Sequence, residues 1–233
     1  MNHKKTFIIV GAGSLCPGDI DFTKSPEDFL CAADAGLLPL REKGLVPDLI
    51  VGDFDSMPEK EVFSPASGAS SADRSENASQ SPEIIRLPVE KYDTDIVYCV
   101  REGFRRGDRV FLILGALGGA RLSHSFANIQ LLSFVRSLQG TAVLRFGKTA
   151  LFLLSEGEEK HFPPAQQAPH QCISVFSLSD SAEVTLQGLY YPLDHGRITR
   201  DFPLGVSNHF TGEEACIRVH HGDLLIIIDS GSN

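Results

Sequence analysis

The hydrophobic pattern changes period near residue 150, and that change limits the fold of this chain more than any other feature. Upstream, short apolar runs alternate with segments of helical period, as in a parallel sheet with crossover helices. Residues 7–10, 29–33, 48–51, 84–87, 109–114 and 142–146 read as strands. Residues 95–105, carrying Ile96, Val97, Val100 and Phe104, read as an amphipathic helix, as do 125–138, carrying Phe126, Ile129, Leu132 and Val135. Downstream, 173–178, 184–186 and 217–219 alternate with period two between Gly, Pro and Asn, and 224–228 is a strand-like run closed by Asp229. The expected fold is α/β. An N-terminal, mostly parallel α/β sheet domain (1–148) precedes a smaller antiparallel β-sandwich domain (149–233).

Two polar stretches interrupt the pattern. Residues 64–82, mostly Ser, Ala, Glu, Asn and Gln, have almost nothing to bury and read as a mobile, disordered surface insertion. Residues 156–170, rich in Glu, Pro and Gln, read as a loop.

Composition narrows the function classes. With 42% hydrophobic and 22% charged residues in 233, the chain can bury a core without disulfide staples. A net charge of −9 argues against a general nucleic-acid binder, which needs a basic footprint. No apolar stretch approaches the roughly 18 residues of a membrane span. The polar start, 1–6, leads directly into 7–10 without a signal-peptide core, so the cytoplasm is the expected compartment. Cys16, Cys31, Cys99, Cys172 and Cys216 are odd in number, widely spaced and without a CxxC pair. That spacing suggests neither a disulfide framework nor a thiolate zinc site, and they read as reduced, mostly buried small hydrophobes.

The strongest chemical signal is Pro47-Asp48-Leu49-Ile50-Val51-Gly52-Asp53-Phe54-Asp55-Ser56, an apolar strand running into glycine and two carboxylates. Ligand crevices of open α/β sheets lie beyond the carboxyl ends of the strands, where Asp53 and Asp55 belong. Two close carboxylates repel unless a cation or proton sits between them, and an all-oxygen donor set suits Mg²⁺ shared with phosphates. An Asp-rich turn that merely ends a strand remains an equal reading. Asp93-Thr94-Asp95 precedes the first helix, where capping alone would account for Thr94 and Asp95. Asp34 ends a third strand, and in a parallel sheet all three segments converge on one edge.

Gly115-Ala116-Leu117-Gly118-Gly119-Ala120-Arg121-Leu122-Ser123-His124 joins a strand to a helix. Such a turn exposes backbone N–H groups that suit a phosphate, with Arg121 able to grip its oxygens in a fork. A packing turn is the competing reading, with Ser123 or Ser125 as a cap and His124 a satisfied histidine. Two better-known phosphate loops fail. Gly147-Lys148-Thr149 follows Ala142 where a P-loop requires Gly, and Cys16 replaces the third glycine of a dinucleotide fingerprint in Gly11-Ala12-Gly13. His220 and His221 point to opposite faces of a strand and cannot easily share a metal.

Taken in order, Ala32-Ala33-Asp34-Ala35-Gly36, the Gly52-Asp53-Phe54-Asp55-Ser56 segment, Lys91 with Thr94-Asp95, and the turn and helix over 115–128 resemble the thiamine pyrophosphokinase family. Gly205-Val206-Ser207-Asn208 and Gly222-Asp223-Leu224-Leu225 extend the resemblance to nearly the whole chain. The chain departs from the family pattern at the extra Ala120, at Ser123 in place of Asp, and at Tyr92. The resemblance implies Mg²⁺-dependent transfer of diphosphate from ATP to the thiamine hydroxyl, giving AMP and thiamine diphosphate. It implies that Asp53, Asp55 and Asp95 hold Mg²⁺ and that Arg121 joins them in catalysis. Asp34, Lys91, Thr94, Ser123 and His124 are then on the ATP side. Asn128, Ser207 and Asn208 fall to thiamine, in a site shared between the subunits of a homodimer. Other readings stay open: a pterin or another primary alcohol as acceptor, a hydrolase with an Asp nucleophile in Asp53-Phe54-Asp55, or a catalytically silent thiamine-binding homologue.

Overall fold

The computed structural model describes residues 5–55, 81–119, 121–167 and 171–230. The expected insertion at 64–82 lies outside the described residues apart from Ser81 and Pro82, as do Ser56 and Ala120. The chain divides into two compact units, Met1–Gly147 and Lys148–Asn233.

In the first unit the strands are β1 (Phe7–Val10), β2 (Phe29–Ala33), β3 (Leu49–Gly52), β4 (Glu83–Arg86), β5 (Val110–Leu114) and β6 (Thr141–Phe146). All pair in parallel, in the order β6-β5-β1-β2-β3-β4. The central strands β1 and β3 are buried at every position, which is why their sequence is continuously apolar rather than alternating. Helices α1 (Leu37–Glu42), α2 (Asp95–Arg105) and α3 (Leu122–Ser137) complete the unit. The bounds of α2 match the periodic segment: Thr94 Oγ1 accepts from Val97 N at 3.4 Å, Asp95 lies in the first turn and Arg105 in the last.

The structure corrects the face assigned to α3. The helix starts at Leu122, three residues before the expected point, and buries Ser125, Asn128, Leu131, Leu132 and Val135, while Phe126 is 61% exposed. Its first turns lie against a glycine loop whose carbonyls need donors. Asn128 Nδ2 donates to Ala116 O at 2.7 Å and Ser125 Oγ to Gly118 O at 3.4 Å. Hydrogen-bond demand therefore overrides hydrophobicity at that end.

The second unit is a sandwich of two antiparallel sheets. One has the order β12 (Asn208–His209), β9 (Cys172–Ser177), β14 (Asp223–Asp229), β7 (Thr149–Ser155); the other β11 (Leu193–Thr199), β10 (Ser181–Gln187), β13 (Ala215–His221), β8 (Glu159–Phe162). Ile173, Val175, Val184, Leu186, Ile217, Val219, Leu224 and Ile226 fill the space between them. The loop expected over 156–170 instead contains β8 and a short 3₁₀ turn, Pro164–Gln166. Glu159, Lys160 and His161 are exposed on an edge strand, where charge is tolerated and the hydrophobic signal disappears. Of the five cysteines only Cys31 and Cys99 are buried; Cys16, Cys172 and Cys216 are half-buried, fewer inside than expected. No described helix is long and apolar enough to cross a membrane.

Candidate active site

Strands β2, β3 and β4 run outward from one side of β1 while β5 and β6 lie on the other, so the chain reverses its direction of travel across the sheet between β1 and β5. At such a switch point the loops leaving the two strands part and open a crevice. Here a cleft of about 620 Å³ lies beyond the carboxyl ends of the strands. Its walls include Ala12 and Gly13 after β1, Asp34 after β2, Asp53 after β3, Lys91 and Thr94 before α2, Asp95 in its first turn, Gly115, Ala116, Gly118 and Gly119 after β5, Arg121 just before α3, and His124 and Asn128 within it.

Glycine is required where the loops meet. Gly11 N donates to Leu114 O at 2.8 Å and Gly13 N to Gly115 O at 2.7 Å. Gly115 has φ +61°, and a Cβ there would lie 2.4 Å from Gly11 O. The two backbones touch, which only residues without side chains allow. The Gly11-Ala12-Gly13 segment, set aside as a dinucleotide fingerprint, thus belongs to the cleft wall for another reason. A glycine directly after each of two strands was the signal for it.

The carboxylates converge as three strand ends in a parallel sheet must. Asp34 and Phe54 hold left-handed backbones, φ 49° and 58°, uncommon for residues other than Gly, Asn and Asp. Phe54 is buried, and its turn sets Asp53 into the cleft while Asp55 stays exposed, with Asp55 N donating to Asp53 Oδ1 at 3.4 Å. Lys91 is the cation among these acids, its Nζ 2.5 Å from Asp53 Oδ2 and 2.9 Å from Asp95 Oδ1.

The electrostatics follow from that ammonium. Its hydrogen bond holds the Asp53 carboxyl below the usual range. Burial alone would lower Lys91, but hydrogen bonds to Asp53 and Asp95 outweigh it and raise the ammonium. Asp34 is raised first by burial and then by the charges of Asp95, Asp53 and Asp55. Asp53 and Asp95 gripping one cation with oxygen donors alone fit a hard divalent ion such as Mg²⁺.

Arg121, His124 and Asn128 line the cleft at helical spacing, so Ser123 falls on a different face of α3. It lines a neighbouring apolar groove with Leu122, Ser125, Phe126 and Ile129. Thr94 serves as both cap and wall. In the second unit Ser207 has a left-handed backbone, φ 59°, and its N donates to Ser174 Oγ. Asn208 is buried with its amide committed to backbone: Oδ1 accepts from Tyr191 N and His209 N, and Nδ2 donates to Tyr191 O. It fixes the position of Tyr191, which stacks edge-on with the exposed Tyr190, ring centroids 4.9 Å apart, beside His209. The sequence reading missed this aromatic surface. The adjacent tyrosines were its only signal.

The family described as "Thiamin pyrophosphokinase, catalytic domain" matches residues 23–143, and "Thiamin pyrophosphokinase, vitamin B1 binding domain" matches 161–224. The thiamine pyrophosphokinase of Bacillus subtilis (strain 168) is 27% identical over 234 residues, covering 96% of this chain and 98% of that protein. A crystal structure of the Bacillus subtilis thiamine pyrophosphokinase superposes with a TM-score of 0.80 at 25% identity, covering 98% of this chain and 100% of that one. The thiamin pyrophosphokinase of Geobacillus thermodenitrificans gives 0.76 at 25% identity, with 98% and 99% covered. A matched catalytic-domain family across more than half of the chain, on a fold whose strand ends gather acids, a lysine and a glycine turn in one cleft, places the protein in the thiamin pyrophosphokinase family.

Proposed function

We propose that this enzyme transfers the terminal diphosphate of ATP to the hydroxyl of thiamine, releasing AMP. The observation that carries this reading is the Asp53–Lys91–Asp95 cluster facing the glycine turn and Arg121 across one cleft. Diphosphoryl transfer needs charge neutralisation and an in-line nucleophile more than covalent participation, and the cleft offers that chemistry. The thiamine oxygen attacks the β-phosphorus, the bond from that phosphorus to the oxygen bridging it to the α-phosphate breaks, AMP departs, and the hydroxyl proton leaves to solvent.

Asp53 and Asp95, with Asp55 alongside, would hold Mg²⁺, which supplies neutralising positive charge against the polyphosphate. Lys91 and Arg121 supply the chain's own positive charge, and with His124 they offer donors to phosphate oxygens. Backbone N–H groups of residues 115–119 and the start of α3 add further donors. Asp34 borders the nucleotide, Thr94 fixes the start of α2, and Asn128 holds the glycine turn through Ala116 O. Ser123, in the neighbouring groove, takes no part. On the second unit, Ser207 and the Tyr190–Tyr191–His209 surface suit the flat aromatic rings of a cation such as thiamine, with Asn208 holding that surface in place. The enzyme works as a homodimer in this reading, supported by the exposed apolar face of Leu122 and Phe126.

The test is to supply ATP, Mg²⁺ and thiamine and to quantify AMP and thiamine diphosphate chromatographically, with parallel reactions containing a pterin alcohol. Equimolar AMP and thiamine diphosphate are expected. AMP formed only with the pterin would move the enzyme to another acceptor. Thiamine binding without AMP would make it a silent homologue.

A further inference from the structure

The outer face of the β11-β10-β13-β8 sheet carries a second polar cluster, within the second unit and independent of the phosphate cleft. In the antiparallel register His161 of β8 lies opposite Cys216 of β13, and Glu159 opposite Arg218. Strand alternation places all four side chains on one face. His161 Nε2 is 3.2 Å from Glu159 Oε1 and 3.8 Å from Cys216 Sγ. The three donor atoms lie within 4.8 Å of one another. We propose that Glu159, His161 and Cys216 bind a borderline transition-metal ion of the zinc class, with the fourth position open to water.

Three features carry this. The first is size. Tetrahedral zinc, with bonds of about 2.0 to 2.1 Å to N and O and about 2.3 Å to S, places its ligands roughly 3.3 to 3.6 Å apart. The two spacings from His161, 3.2 and 3.8 Å, bracket that range and the third lies within 4.8 Å, so side-chain adjustments close the site. The second is the outer contacts. His161 Nδ1 faces Glu214 Oε1 at 3.2 Å, which fixes the ring so that Nε2 is the ligand atom, the carboxylate–histidine–metal arrangement. Arg218 grips Glu159 Oε2 through Nε at 2.8 Å and Nη2 at 2.6 Å, leaving Oε1 turned toward His161. The third is chemistry. A thiolate, an imidazole and one carboxylate favour zinc over Mg²⁺, which prefers oxygen alone. The cluster therefore does not compete for the ion expected in the cleft. Binding ties the edge strand β8 to β13 and displaces the proton of the Cys216 thiol to solvent.

The test uses Co²⁺ as a spectroscopic probe on the full-length reduced protein, with excess Mg²⁺ present to occupy the oxygen-donor cleft. One Co²⁺ per chain is expected to produce a thiolate-to-cobalt charge-transfer band that one equivalent of Zn²⁺ abolishes. The band is expected to vanish in Cys216→Ser, and affinity to fall at least about tenfold in His161→Ala and about tenfold in Glu214→Gln, which removes no ligand. Circular dichroism checks that each variant is folded. Zn²⁺ is expected to raise the melting temperature of the native chain but not of Cys216→Ser. Absence of a thiolate band in the native protein, or its persistence in Cys216→Ser, would overturn the site. Glu214→Gln binding Co²⁺ as tightly as the native chain would remove the positioning role of Glu214.

Discussion

The cleft of the first unit and the outer face of the small sheet in the second both bring charged side chains together, but by opposite routes. In the cleft, the strands are apolar and buried, and the lining groups come from the residues that follow them: Asp34 after β2, Asp53 after β3, the glycine turn after β5. On the sheet face, the polar groups come from within the strands, through pairs such as His161 and Cys216 that are 55 residues apart and meet only through register. A parallel sheet concentrates function at one end, whereas an antiparallel sandwich can place it anywhere on a face turned to water.

The contrast is tested most severely at Asp53. Asp53→Asn should lower turnover about 100-fold or more, since it removes a charge from the site expected to neutralise the phosphates, while leaving the fold intact. Near-normal turnover, measured as AMP release, would separate the acidic strand ends from the chemistry. The sheet face is expected to be indifferent: Glu156→Gln, which breaks an exposed pair with His221, should change neither turnover nor melting temperature.

A smaller but still large effect is expected at Gly115. A Cβ 2.4 Å from Gly11 O, on a backbone at φ +61°, forces the two loops apart. Gly115→Ala should destabilise the protein by about 1–3 kcal/mol and raise the KM for ATP, read by thermal melting and by initial rates. A variant with native stability would mean that the contact between the loops is readily relaxed.

Lys91→Met leaves Asp53 and Asp95 facing each other without their cation. A cost of about 1–3 kcal/mol is expected in the absence of divalent ions. In the native protein Asp53 is held low and Lys91 high. The stability from their pairing is therefore complete between the unfolded values of about 3.9 and about 10.4. It is lost as pH falls through the depressed Asp53 value or rises through the raised Lys91 value. Without Lys91 the Asp53 carboxyl moves up, so the acid limb of the activity profile should shift to higher pH. An unshifted limb would show that Lys91 does not set the charge state of the cleft. Milder than Lys91→Met is Asn128→Ala, which leaves Ala116 O without its donor at a cost of about 1–2 kcal/mol and loosens the glycine turn. Isothermal denaturation with and without ATP distinguishes the two consequences.

Much of the cleft was legible because its residues sit at fixed places relative to apolar runs. Once 48–51 reads as a strand in a parallel sheet, Asp53 has to lie at its carboxyl end, and the same logic holds for Asp34, whereas Asp95 is brought there by the first turn of α2. What the sequence left open were matters of side-chain direction. Ser123 is assigned to the ATP side by the family resemblance, and the early start of α3 sets it in the adjoining groove. Phe126 read as core by its period, yet Ser125 and Asn128 hold the buried side because two carbonyls there need donors. Asn208 read as a substrate ligand, yet its amide is committed to the backbone of Tyr191 and His209.

The order and spacing of apolar and polar residues alone determined that this chain builds a parallel α/β unit followed by a sandwich, and that its acids gather at strand ends, because the period of burial is a local property of sequence. Only the tertiary structure decided that Lys91 sits between Asp53 and Asp95, that Gly11 and Gly115 touch, and that His161 meets Cys216. Those contacts depend on which strands become neighbours and in what register, and long-range pairing is set by the summed packing of the whole core rather than by any stretch of residues within it.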